Sequence, residues 1–136
     1  MKVFLDDVRI PKDCVHYMGK RIGPLFPIYL EEWKVVSSYD EYVAVLKKHY
    51  REITHISFDH DLGEDLALAA IERGMSKRQA RKKIKKNVQS GYDCALFTKQ
   101  FYSYLGKDLP IMFVHSMNPV GTENIINVFK NGKRTT

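Results

Sequence analysis

Two apolar runs of this 136-residue chain end in acid: Asp6-Asp7 follows Val3-Phe4-Leu5, and Asp59-His60-Asp61 follows Ile53 to Phe58. A third run, Leu109 to Val114, ends in His115-Ser116. Carboxylates gathered at one place repel one another unless protons or a cation neutralise them, and hard oxygen donors suit a divalent cation, magnesium first and manganese second. Magnesium in turn favours phosphoryl oxygens. Imidazole titrates near neutrality, so His60 and His115 can divide the giving and taking of a proton at a reacting phosphate. Arg9 can hold a phosphate oxygen, and Ser116 and Asn118 offer neutral hydrogen bonds beside His115. The set reads as metal-assisted phosphate chemistry. Asp6, Asp7 and Asp59 take the cation, His60, His115 and Asp59 are the catalytic groups, and Arg9, Ser116 and Asn118 take the phosphate. A plainer alternative makes both histidines core residues bonded to neighbouring carboxylates, and Asn118, before Pro119, equally fits a helix cap.

These residues converge only if the apolar runs are neighbouring parallel strands ending on one edge. Adjacent strand residues point to opposite faces, so Asp6 and Asp7 share a centre only where strand gives way to loop. Between the runs lie helix signals. Ser38-Tyr39-Asp40-Glu41 forms a capping box ahead of Tyr39, Tyr42, Val43, Leu46 and Tyr50 on one helical face. Ser90 to Asp93 makes another, ahead of Cys94, Phe97, Phe101 and Tyr104, with Gly106 as the stop. Asn118-Pro119 opens a last helix with Ile125, Ile126 and Phe129 inward and Asn131-Gly132 as its stop. Trp33 to Val36 supplies a further strand. Residues 10–32, broken by Pro11, Gly19, Gly23, Pro24 and Pro27, read as an ordered loop insertion in which Phe26 to Leu30 pairs briefly at a sheet edge. Glu64 to Arg73 and a second stretch capped by Ser76 read as helices, the latter projecting because its apolar stripe is only Ala80, Ile84 and Val88. Alternating strands and helices predict an α/β fold: three layers around a mainly parallel sheet of four to five strands, as one domain over 1–136. In such sheets ligands bind outside the carboxyl ends of the strands.

Composition agrees with one globular core, at 44% hydrophobic and 12% aromatic residues. Cys14 and Cys94 have no metal-ligand spacing and read as reduced thiols. No apolar run is long enough to span a membrane, and a cytoplasmic location is expected. The net charge of +6 comes from one segment, since Arg73, Lys77, Arg78, Arg81, Lys82, Lys83, Lys85 and Lys86 occur with no acid among them. Such density attracts polyanions and makes Lys77, Arg78, Arg81, Lys82 and Lys85 candidates for contact with a phosphate backbone. A solvated face explains the run equally well, and no base-reading motif accompanies it.

Four ordered blocks carry a family resemblance: Leu5-Asp6-Asp7-Val8-Arg9, Ser57 to Gly63, Gly91-Tyr92-Asp93 and His115-Ser116-Met117-Asn118-Pro119. Together they resemble the cyclic-phosphate-processing receiver domain family, a derived branch of the response-regulator receiver (flavodoxin-like) fold. The resemblance implies magnesium at Asp6, Asp7 and Asp59. It also implies that the added histidines, His60 and His115, act on cyclic phosphates of nucleotides, RNA ends or ADP-ribose derivatives. Two departures from an ordinary receiver stand out. The usual last strand and the lysine before it are missing, Lys130 and Lys133 lying in a helix end and tail, and residues 64–89 form a basic helical insertion. Phosphorelay through Asp59 is disfavoured on that count. The expectation is a metal-assisted phosphoesterase. The alternatives are a non-catalytic receiver-like module sequestering a phosphate-bearing nucleotide signal, told apart by binding without product, and a nucleic-acid accessory protein, told apart by steep salt dependence.

Overall fold

The three apolar runs and the stretch after Trp33 become one four-stranded parallel sheet in the computed structural model, which describes residues 1–14, 23–62, 71, 73–79, 89–116 and 118–132. The strands are β1 (Lys2–Leu5), β2 (Lys34–Val36), β3 (His55–Phe58) and β4 (Ile111–Val114), in spatial order β2-β1-β3-β4. Leu5 is level with Val36 and Phe58, and Phe58 with Val114. Alternation then divides the sheet into two faces. Val3, Leu5, Ile56, Phe58, Met112 and Val114 belong to one apolar cluster, and Phe4 and Phe113 to another.

Three helices cover the first face: α1 (Tyr39–His49), α2 (Gly91–Leu105) and α3 (Pro119–Gly132). They bury Tyr42 and Leu46, Cys94, Ala95 and Tyr102, and Ile125 and Val128. The expected caps are present. Ser38 Oγ accepts the Glu41 N–H at 3.2 Å, and Asp93 Oδ2 accepts the Ser90 N–H at 2.7 Å. Helix α2 stops where Gly106 takes a left-handed φ of 67°. Two stripes differ from the sequence expectation by one position. Tyr104 is 89% exposed while Tyr102 enters the core, because the buried face of α2 runs Cys94, Thr98, Tyr102 in steps of four. On α3 the inward face runs Gly121, Ile125, Val128, which leaves Ile126 at the surface.

The opposite face is covered differently. The expected edge pairing of Phe26 to Leu30 gives way to a 3-10 helix, Gly23–Leu30, with Pro27 inside it. Proline fixes φ and cannot donate to a strand ladder, so a short helical turn suits this stretch better. Tyr29 stacks on Trp33 with ring centroids 5.5 Å apart, and both meet Phe4 edge-on at 6.1 Å. Both cysteines are buried, Cys94 in the helical core and Cys14 in this smaller one. The helices expected over 64–73 and 77–88 lie mostly outside the described residues. At the second, Ser76 Oγ accepts the Gln79 N–H at 3.2 Å. Among the described residues no helix is long and apolar enough to cross a membrane.

Helix α2 docks on the end of β3 through its first residue. The Gly91 N–H donates to the His60 carbonyl at 2.8 Å, and a Cβ at Gly91 would fall 1.6 Å from the Asp59 carbonyl oxygen. Backbone rather than a movable side chain occupies that space. Gly91→Ala is therefore expected to cost more than about 2 kcal/mol in urea denaturation, since helix or strand end must shift. A midpoint equal to wild type would contradict this packing.

Candidate functional site

Asp6, Asp59 and His115 each follow the last residue of a strand and stay on the hydrogen-bond ladder. Their N–H groups donate to the carbonyls of Val36 at 3.0 Å, Leu5 at 3.0 Å and Phe58 at 2.9 Å respectively. They therefore stand level on the carboxyl edge, on the same side as Phe4, Ser57 and Phe113. All three are buried, and each offers one carboxylate or imidazole atom within 4.8 Å of the other two. Asp7, half-buried, is next along the chain and lies outside this group.

The two carboxylates experience opposite fields. Burial opposes charge on Asp6, but hydrogen bonds outweigh it: Oδ2 lies 3.1 Å from His115 Nε2, and Oδ1 accepts the N–H groups of Val8 and Arg9, each at 2.9 Å. The balance lowers its pKa, so Asp6 is ionised. Among the described residues Asp59 has one such partner, the His60 N–H at 2.9 Å on Oδ1. Burial first, then the neighbouring negative charge of Asp6, push its pKa up to about 8. The pair is thus split into an ionised member and one that keeps a proton at neutral pH.

His115 occupies a different place from a substrate-facing acid or base. Its ring is fully buried, stacked on Phe4 with centroids 4.1 Å apart, and Nδ1 lies 2.7 Å from Ser57 Oγ. Burial lowers its pKa despite the partly compensating bond to Asp6. His60 is the reachable histidine, its side chain 22% exposed, with Nδ1 at 2.9 Å from Asp61 Oδ1. The first turn of α3 sits close under its ring, for a Cβ at Gly121 would fall 2.3 Å from His60 Cγ.

The remaining expected residues are also accounted for. Arg9 brings its guanidinium 3.8 Å from Asp6 Oδ2 and stays partly exposed on the edge. Ser116 is buried, and its Oγ accepts the Asn118 N–H at 3.1 Å. Asn118 caps α3 by accepting the Gly121 N–H at 3.0 Å, and its Nδ2 approaches Asp61 Oδ2 at 3.5 Å. Of the basic run, Lys77 and Arg78 are exposed, whereas Arg81, Lys82 and Lys85 lie outside the described residues.

The sequence model of the cyclic-phosphate processing receiver domain matches residues 1–131. The chain belongs to that family. The four-stranded parallel sheet with its helices is the receiver-like α/β fold that membership implies. Neither a curated protein nor a solved structure matches the chain.

Three residues of this receiver-like site were not singled out by the sequence. Tyr29 fell within the 10–32 insertion and Ser57 only opened a resemblance block, neither with an expected role, and Gly121 carried no expectation. The electrostatics make a direct prediction. The proton that folded Asp59 retains up to about pH 8 is lost from the unfolded chain near its ordinary value of 3.8. Stability from this group is full below that ordinary value and falls as pH rises through the folded value. The depressed values of Asp6 and His115 act in the opposite sense, that of Asp6 near and below 3.8 and that of His115 fading within about one unit above 6.5. Between pH 6.5 and 8 the metal-free protein should therefore lose about 1.5 kcal/mol of stability in denaturant titrations. Asp59→Asn should abolish that slope, and an unchanged slope in the variant would refute the assignment.

Proposed function

We propose that the protein is a divalent-cation-assisted phosphoesterase that opens a cyclic phosphate on a nucleotide, an RNA end or an ADP-ribose derivative. The observation that carries this reading is the convergence of Asp6 and Asp59 on one strand edge, next to the partly exposed His60 held by Asp61. The donor set suits a hard cation: the oxygens are carboxylates, and a bound cation would offset both the burial and the neighbouring charge of Asp6 that raise the Asp59 pKa. Asp6 and Asp59, with Asp7 adjacent, would hold magnesium or manganese, which supplies charge for the phosphoryl oxygens.

The chain's own residues do the rest. Asp61 accepts from His60 Nδ1–H, which fixes the tautomer and leaves Nε2 as the basic atom. His60 Nε2 takes a proton from the water that attacks phosphorus. As the P–O bond to one ring oxygen breaks, the imidazolium returns a proton to that oxygen. Arg9, on the edge beside Asp6, pairs with a non-bridging phosphate oxygen. Asn118 steadies Asp61 from the far side. His115 meets no substrate atom in this scheme, because its ring is buried and both nitrogens face protein groups.

A survey of cyclic mononucleotides, cyclic dinucleotides, terminal cyclic phosphates and ADP-ribose cyclic phosphates, with and without magnesium, tests the proposal. Turnover of at least one class is expected with magnesium. His60→Ala should lower kcat at least about 100-fold with substrate binding retained, and Asp61→Asn should lower it less. Stoichiometric binding without product would favour a sequestering module instead. Undiminished turnover by His60→Ala would remove the proton-transfer step.

A further inference from the structure

A buried chain of hydrogen bonds connects the 10–32 segment to the acidic pair. Tyr29 Oη lies 2.8 Å from Ser57 Oγ, Ser57 Oγ lies 2.7 Å from His115 Nδ1, and His115 Nε2 lies 3.1 Å from Asp6 Oδ2. All four side chains are essentially inaccessible, Tyr29 and Asp6 at 1% and Ser57 and His115 at 0%. Only one assignment of protons satisfies every link around a neutral imidazole. The Asp6 carboxylate, with two backbone N–H groups on Oδ1 and the Arg9 guanidinium near Oδ2, can only accept, so Nε2 carries the hydrogen. Nδ1 is then an acceptor and takes the single Ser57 hydroxyl proton. The Ser57 oxygen in turn accepts from the Tyr29 hydroxyl. Every donor in the chain points toward Asp6.

We propose that Tyr29 and Ser57 are positioning residues that hold His115 as its Nε2–H tautomer and, through it, fix the Asp6 carboxylate toward Asp59. The packing supports the assignment independently. Phe4 stacks flat under the His115 ring, Tyr29 meets that ring edge-on at 6.4 Å, and Trp33 stacks on Tyr29. The imidazole can neither tilt nor slide without disturbing this aromatic group. Ser57 is level with Phe4 and Phe113, and a small hydroxyl there leaves room for both partners. Tyr29, from the 3-10 helix between β1 and β2, thus acts with Ser57 as a brace for the site. A metal-site partner that orients a carboxylate commonly matters about 10-fold or more in affinity.

The proposal rests on the reading of Asp6 and Asp59 as a cation site, and the test separates the two. Imidazole 15N shifts of His115 in the metal-free protein report the tautomer directly. Wild type should show a pyridine-like Nδ1 and a pyrrole-like Nε2. Ser57→Ala should perturb both signals, and Tyr29→Phe, which keeps the ring packing, should shift Nδ1 through Ser57. Magnesium affinity measured by calorimetry should fall about 10-fold in Ser57→Ala and by a smaller factor in Tyr29→Phe, with Ser57→Thr restoring part of it. A pyrrole-like Nδ1 in wild type would overturn the proposal, as would variants whose shifts and affinities equal wild type. Absence of magnesium binding by wild type with the expected tautomer would sink the cation reading and leave the hydrogen-bond brace standing. Should Ser57→Ala fail to fold, Tyr29→Phe decides.

Discussion

Two carboxylates buried side by side at the ends of adjacent strands repel each other, and in a poorly hydrated setting neither charge is screened by solvent. Much of the surrounding structure answers that repulsion. Asp6 is given amide hydrogens from Val8 and Arg9, the imidazole of His115 and the nearby guanidinium of Arg9, and so keeps its charge. Asp59, with only the His60 amide on its carboxylate among the described residues, has its pKa pushed up to about 8 by burial first and by the charge of Asp6 second. Stability is given up at the strand ends in a way a structural core would avoid. In the proposed reading the same crowding would favour a cation, whose charge at the pair would replace a proton and cancel repulsion at once.

The two faces of the sheet divide the work. On one, three amphipathic helices bury an aliphatic and aromatic core of the ordinary kind, built on Leu5, Phe58 and Ile125. On the other, a 3-10 helix and two aromatic side chains cover Phe4 and His115, and the polar chain from Tyr29 to Asp6 runs beneath them. The carboxyl edge draws on both. Gly91 brings the start of α2 against the Asp59 backbone, and Gly121 lets α3 approach the His60 ring. Substitutions at Tyr29, beneath the edge, or at Gly121, against the His60 ring, therefore act on its geometry.

Much of this was legible in the sequence because local signals were strong. Apolar runs ending abruptly in acid mark strand ends, and the Ser38 and Ser90 boxes mark helix starts within a residue or two. The pairing of Asp6 with Asp59 followed from both ending parallel strands. What could not be read depends on contacts between distant residues. Ser57 is one of three polar residues in the run Ile53 to Phe58, and nothing local shows that it meets partners 28 and 58 positions away. His115 and His60 looked equivalent, each ending a strand, yet alternation turns one under the sheet face and the α3 turn holds the other at the surface. Tyr104 and Ile126 were misassigned because a helical stripe drifts, so two positions near its margin compete for one inward place.

In the proposed mechanism a divalent cation replaces the proton on Asp59. Calorimetric titration of magnesium into the metal-free protein at pH 7, in buffers of different ionisation enthalpy, measures that exchange directly. Binding accompanied by release of about one proton per ion, absent in Asp59→Asn, is the predicted result. Binding without proton release, or no binding, would contradict it.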